Sequence, residues 1–298
     1  MAKISGFKND AARAAYMRAY EALEAQWPIP ATTVDIKTSF GSTHVRRSGS
    51  GTGTPLVLLH SFGGNSLYWD FIVEELTRDR VVYMPEMVGA AGLSVQTSPM
   101  KEADFAIWLD EVLTALELDQ VHLVGYSHGA WHGIAAALHD SRHLASLTLI
   151  EPGGVFNKPL WSTLFKMVRF GMRKQTDENI RALAAWMTPG FTATPEEFAL
   201  GKAALSTFNM RIGWARLLKD AELQSITTPT LVIVGGDSVV SRDPAEAARR
   251  AAQHMPAIET EVYPGMGHAI LDQIPERIVP RIQKFIRQHD SAQLGSVG

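Results

Sequence analysis

Val121-His122-Leu123-Val124-Gly125-Tyr126-Ser127-His128-Gly129-Ala130 reads as a short apolar strand running into Gly-x-Ser-x-Gly, and a helix follows through Trp131 and Ala135 to His139. With 24 glycines in 298 residues, a chance Gly-x-Ser-x-Gly is expected roughly 0.1 times, so the weight lies in the strand before it and the helix after it. A serine on a strand-to-helix bend is held in a strained backbone conformation, with its hydroxyl raised above the sheet. Side chains at the positions flanking such a bend would collide. Gly125 and Gly129 remove that bulk, and Gly133 lets the helix lie close to the strands. The helix N-terminus under Ser127 then favours developing negative charge.

Around this stretch, apolar runs alternate with helical patterns. Leu56–His60 and Val81–Met84 precede it as buried strands, and Ser146–Ile150, Thr230–Val234 and Glu259–Tyr263 follow it. Trp69–Leu76 and Ala103–Leu116 read as helices between them. This alternation predicts a mostly parallel sheet with helices on both faces and a ligand site outside the carboxyl ends of the strands. Thr32–Thr38 and Thr43–Arg47 read as a hairpin around Phe40-Gly41-Ser42. Tyr16, Tyr20, Leu23 and Trp27 form one apolar stripe on a helix over about 9–27, which must pack on the main body or on a second subunit.

Between Gly153 and about Leu223 the strands stop. The segment is helical in pattern and rich in Met, Phe and Trp, and Gly153-Gly154 and Thr227-Thr228-Pro229 bracket it as hinges. We read 153–222 as a small helical cap inserted into a core formed by 1–152 and 223–298. Most of its aromatics serve the cap's own packing. Trp161, Phe165 and Trp186, with Trp131 and Val239 from the core, are the candidates to line a substrate pocket.

A serine hydroxyl needs a base, and the base an orienting carboxylate. His268 follows the last strand in Tyr263-Pro264-Gly265-Met266-Gly267-His268, on a glycine-flanked loop. His60 is expected instead to hold loop backbone by hydrogen bonds. The carboxylate expected after the penultimate strand is Asp237, giving the chain order Ser127, Asp237, His268. Two alternatives stay open. Asp243 is more naturally a helix cap before Pro244, and Glu151 follows the strand ending at Ile150. The oxyanion of acyl transfer needs two N–H donors, and the backbone of His128 and of Phe62 is placed to supply them.

Four motifs in this order, His60-Ser61-Phe62-Gly63-Gly64, Gly125-Tyr126-Ser127-His128-Gly129, Gly235-Gly236-Asp237 and Gly267-His268, resemble the α/β-hydrolase superfamily. Pro85-Glu86-Met87-Val88-Gly89 resembles its loop after the third of these strands, with Glu86 where Asp is usual. The N-terminal helix, Trp27-Pro28 and the strand at Thr43-His44-Val45 are similar to a bacterial carboxylesterase branch. The resemblance implies an eight-stranded sheet with a helical cap and a Ser-His-Asp serine hydrolase. It also implies a small ester-like substrate with a hydrophobic portion and no cofactor. Two departures stand out: Ser61 replaces the usual Gly after the oxyanion-loop histidine, and the glycine-to-acid spacing before Asp237 is one residue short. The same triad can serve C–C hydrolysis, perhydrolysis or a lyase step, and a non-catalytic binding protein is the remaining alternative.

Composition agrees with this class. Hydrophobic residues make up 46% and charged residues 20% of the chain, ample for one large core. The formal net charge of −3 gives no footprint for nucleic acid or an anionic membrane. Cysteine is absent, and no His/Asp cluster has metal-ligand spacing, so neither a disulfide framework nor a metal site is expected. The start of the chain lacks an apolar signal core and no apolar run reaches spanning length, so a cytoplasmic location is expected. A homo-oligomer is compatible with the stripe on the first helix.

Overall fold

The computed structural model describes residues 4–158, 161–211 and 213–290. Of the start of the chain, read above for a targeting signal, residues 1–3 lie outside it. Six strands of one sheet carry the architecture: β4 (Gly53–Leu59), β5 (Arg80–Pro85), β7 (Val121–Tyr126), β8 (Leu144–Ile150), β10 (Thr230–Gly235) and β11 (Ile258–Tyr263). They run parallel in the order β11-β10-β8-β7-β4-β5. The hairpin β2 (Ala31–Thr38) and β3 (Gly41–Ser48) extends the sheet antiparallel beyond β5, making the expected eight. A ninth, two-residue strand, β6 (Val95–Gln96), pairs with β3 and has no pattern long enough to read in the sequence.

The central strands bury both faces, and each face has its own helix layer. Against one lie α3 (Asp104–Ala115), α4 (His128–His139) and α9 (Pro244–His254), through Trp108, Leu109, Ile134 and Ala251. Against the other lie α2 (Asp70–Leu76) and α11 (Pro275–Gln288), through Ile72, Val73, Ile282 and Phe285. Because these six strands run parallel, their carboxyl ends, where the turns towards the helices begin, lie at the same sheet edge.

The stretch between β8 and β10 is helical as expected, with α5 (Trp161–Gly171), α6 (Asp177–Met187), α7 (Pro195–Thr207) and the short α8 (Asp220–Ser225). A strand nevertheless occurs in it. β9 (Phe208–Asn209) pairs antiparallel with β1 (Gly6–Phe7) at the chain's start. No two-residue pairing has a sequence signal, because only the partner supplies its hydrogen bonds.

The N-terminal helix α1 (Asp10–Glu24) follows β1 and packs beside α7. Asn9 caps it, accepting from the Ala12 N–H at 2.8 Å. Its stripe of Tyr16, Tyr20 and Leu23 is buried against Leu200 and Ala204 of α7 and against Leu67 and Ala91 of the core. The stripe is therefore satisfied within its own chain. Both tyrosines also carry polar ends inward. Tyr16 Oη donates to the Ala91 carbonyl at 2.9 Å, and Tyr20 Oη donates to the buried Glu86 carboxylate at 2.8 Å. Glu86 also accepts from Ser66 Oγ at 2.9 Å and from the Leu93 N–H. A buried carboxylate needs such donors, and these tie α1 to the loops after β4 and β5.

Candidate active site

Ser127 has φ 54° and ψ −110°, a left-handed conformation for a residue with a side chain. The bend is possible because its neighbours are bare. A Cβ on Gly125 would lie 2.4 Å from the Gly129 carbonyl oxygen, and one on Gly129 would lie 2.1 Å from that of Leu59. The Ser127 N–H donates to the Ile150 carbonyl at 2.8 Å, fixing the bend against the end of β8.

His268 arrives from the loop after β11. Its Nε2 lies 3.0 Å from Ser127 Oγ, and its Nδ1 lies 2.9 Å from Oε2 of Glu151. Both Glu151 and His268 are buried. The carboxylate beside the imidazole is therefore Glu151, the alternative from the end of β8, and not the expected Asp237. The tight turn after β10 explains the difference. The Ser238 N–H donates to the Gly235 carbonyl at 3.2 Å, and the Asp237 N–H donates to that of Met266 at 2.9 Å. This turn sends the Asp237 side chain outward, where it is exposed, and brings Ser238 inward. The spacing that is one residue short thus puts a hydroxyl where a carboxylate would be needed. Glu151 fills the gap from the neighbouring strand. It too adopts a left-handed conformation, φ 54°.

The Glu151 carboxylate is fully engaged. Its Oε1 accepts from the Gly235 N–H, and its Oε2 accepts from Ser238 Oγ as well as facing His268. The third acid, Asp243, caps α9 by accepting from the Glu246 N–H at 2.9 Å. Below the imidazole, Tyr126 Oη donates to the His268 carbonyl at 2.7 Å, and the Tyr126 and His268 rings stack with centroids 5.7 Å apart.

The loop after β4 approaches from the other side. His60 is fully buried and spans it. The Met87 N–H donates to His60 Nε2 at 3.0 Å, so Nδ1 carries the proton and donates to the Ser61 carbonyl at 2.9 Å. Burial lowers the His60 pKa to about 4, which keeps this neutral tautomer. Neither the Phe62 N–H nor the His128 N–H donates to a backbone acceptor among the described residues. His128 itself is buried, with Nε2 2.9 Å from the Gly213 carbonyl, and burial lowers its pKa to about 4.

Aromatic rings stand beside these groups. Phe62 stacks on Trp214 with centroids 4.8 Å apart, and its ring meets His128 edge-on at 5.6 Å. Trp214 comes from the inserted stretch and was not among the expected pocket residues. Only the seating of residue 213 on His128 reveals it. The expected liners fare differently. Trp131 is buried among Phe105, His128 and His132. Trp186 and Val239 are half-buried, with Lys166 over the Trp186 ring and the Val239 carbonyl accepting from Thr163. Trp161 and Phe165 face solvent, because α5 turns its Thr163 side inward. Among the described residues no group of three or more His, Asp or Glu side chains could hold a metal ion.

The chain is similar to several known proteins. Over 279 residues the chain is 25% identical to the uncharacterized carboxylesterase nap of Bacillus subtilis (strain 168), covering 91% of each. It is 24% identical over 283 residues to carboxylesterase YbfK of the same organism, covering 91% of this chain and 93% of that one. The crystal structure of carboxylesterase CesB (YbfK) superposes with a TM-score of 0.85 at 22% identity, over 93% of this chain and 98% of that one. A meta-cleavage product hydrolase from Pseudomonas fluorescens shares the fold at a TM-score of 0.71 and 19% identity, over 86% and 97% of the two chains. The family model described as "Alpha/beta hydrolase family" matches residues 56–281, from the strand before the His60 loop to the helix after His268, and the chain belongs to that family.

Proposed function

We propose that the protein is a serine carboxylesterase that works through an acyl-enzyme on Ser127. The observation that carries this reading is the unbroken line from Ser127 Oγ to His268 Nε2, and from His268 Nδ1 to Glu151, at 3.0 and 2.9 Å. Ser127 Oγ attacks the ester carbonyl carbon as its proton passes to His268 Nε2. Glu151 holds the Nδ1–H tautomer and stabilises the imidazolium. The oxyanion lies between the N–H groups of Phe62 and His128, supported by both being without a backbone acceptor. Nε2–H then protonates the leaving alkoxide, and water attacks the acyl-enzyme by the reverse route.

The stacked pair Phe62 and Trp214 supports a hydrophobic portion in the substrate. The inserted helices between β8 and β10 act in this reading as a cap. Resemblance to two carboxylesterases over nine-tenths of the chain supports ester chemistry among the options open to this triad.

Labelling with a fluorophosphonate probe, followed by peptide mass analysis, tests the nucleophile. Modification of Ser127, absent in Ser127→Ala, is expected, and labelling elsewhere overturns the reading. A p-nitrophenyl ester series tests the chemistry. Efficient labelling with no ester turnover redirects the triad to another reaction, such as C–C hydrolysis.

A further inference from the structure

Helix α5 is mounted with its apolar side outward. Of its side chains only Thr163 is buried, its Oγ1 donating to the Val239 carbonyl at 2.9 Å, while Met167 and Phe170 on the same side are half-buried. At about 100° per residue, Trp161, Leu164, Phe165, Val168 and Met172 fall on the opposite side, within one stripe. Trp161 is 86% exposed, Phe165 67%, Val168 62% and Met172 83%. The backbone continues helically to that last residue, with the Met172 N–H donating to the Val168 carbonyl at 3.1 Å. Single exposed apolar residues are ordinary, but a contiguous stripe of this kind marks an interaction surface.

Charge identifies its partner. Lys166, Arg169 and Arg173 flank the stripe on one side, all exposed. No acidic residue occurs from Lys158 to Thr176, and Asp177 beyond it pairs with Lys202. The net charge of −3 for the whole chain conceals this local basic run. A second copy of this helix would bring no acidic side chain to these cations, since none lies along it. The stripe is also convex and carries bulky Trp, Phe and Met side chains, so it needs a deformable apolar medium more than a shaped groove. We propose that α5 docks the protein on an anionic lipid surface, with the stripe inserted at headgroup depth and the basic flank on lipid phosphates. No helix among the described residues is long and apolar enough to cross a membrane, so the attachment is peripheral. The proposal does not depend on the chemistry at Ser127.

Flotation of the full chain with lipid vesicles tests it. Recovery with vesicles containing phosphatidylglycerol is expected, with little on phosphatidylcholine alone and a decline as salt rises. Val168→Glu and Met172→Glu should each weaken binding by about tenfold or more, as should the double reversal Arg169→Glu with Arg173→Glu. These variants should keep the thermal midpoint and the turnover of a soluble ester. Ile107→Glu, at an exposed apolar position on α3, is the control. Three results overturn the proposal: no phosphatidylglycerol-dependent flotation, an equal loss in Ile107→Glu, or a wild-type dimer that Val168→Glu dissociates. If the glutamate variants fail to fold, Arg169→Gln with Arg173→Gln makes the same comparison, and unchanged binding overturns the proposal equally.

Discussion

The edge of the sheet at Ser127 and the helix α5 lie on one chain but obey opposite rules. At the sheet edge, strained and charged groups are held by the surroundings. Ser127 and Glu151 both sit at φ 54°, and every oxygen of the Glu151 carboxylate has a partner. On α5, unstrained backbone carries apolar side chains into solvent with little to hold them. The first region spends folding free energy on fixing a few atoms, as sites for chemistry do. The second leaves favourable burial unmade, as surfaces awaiting a partner do. Substitutions should separate the two sharply.

The largest effect is expected at the nucleophile. Ser127→Ala should lower kcat for an ester by roughly 10⁴-fold or more with little change in stability, measured by stopped-time ester assays and thermal melts. Next comes the acid. Glu151→Gln should cost about 10³–10⁴-fold in kcat, because its amide places a donor against the donors already there, whereas Asp237→Asn should stay within about twofold. Equal losses in these two variants would erase the assignment of the carboxylate to the end of β8. Ser238→Ala removes one donor to the Oε2 that faces His268. A loss of about tenfold in kcat, with KM unchanged, is expected for a group that positions the acid without touching substrate.

Stability should follow the same divide. Tyr20→Phe withdraws a donor from buried Glu86 and should cost about 1–3 kcal/mol in denaturant melts. Val168→Ala on α5 should stay within about 0.5 kcal/mol. The site also sets a pH dependence. His60 and His128 titrate at about 4 in the folded chain, below the roughly 6.5 of an unfolded histidine. A base with a lowered folded pKa leaves the folded state binding fewer protons than the unfolded one between those values. Their stabilisation is complete above about pH 6.5 and is lost as pH falls towards 4. The thermal midpoint should therefore drop through that window, and His60→Asn should flatten the drop.

Much of this was legible because short-range chemistry wrote it. The apolar runs at Leu56–His60, Val121–Tyr126 and Thr230–Val234 named their own strands, and Gly-x-Ser-x-Gly between a strand and a helix named its bend. Asp243 before Pro244 read as a cap and is one. The identity of the carboxylate was not legible, since Asp237 and Glu151 both follow strands of the right kind. A turn tightened by one residue chose between them by pointing Ser238 inward. Trp214 beside Phe62, and the solvent-facing Trp161 and Phe165, were equally hidden.

Local pattern alone thus marked the main strands, the bend at Ser127 and the loop that carries His268, because periodicity, glycine placement and apolar runs act over a few residues. Tertiary structure alone decided which acid meets the imidazole, that β1 pairs with β9 and α1 packs on α7, and which side of α5 faces water. Each of these depends on a contact between segments far apart in the chain, and a linear sequence holds the two halves of such a contact without recording that they touch.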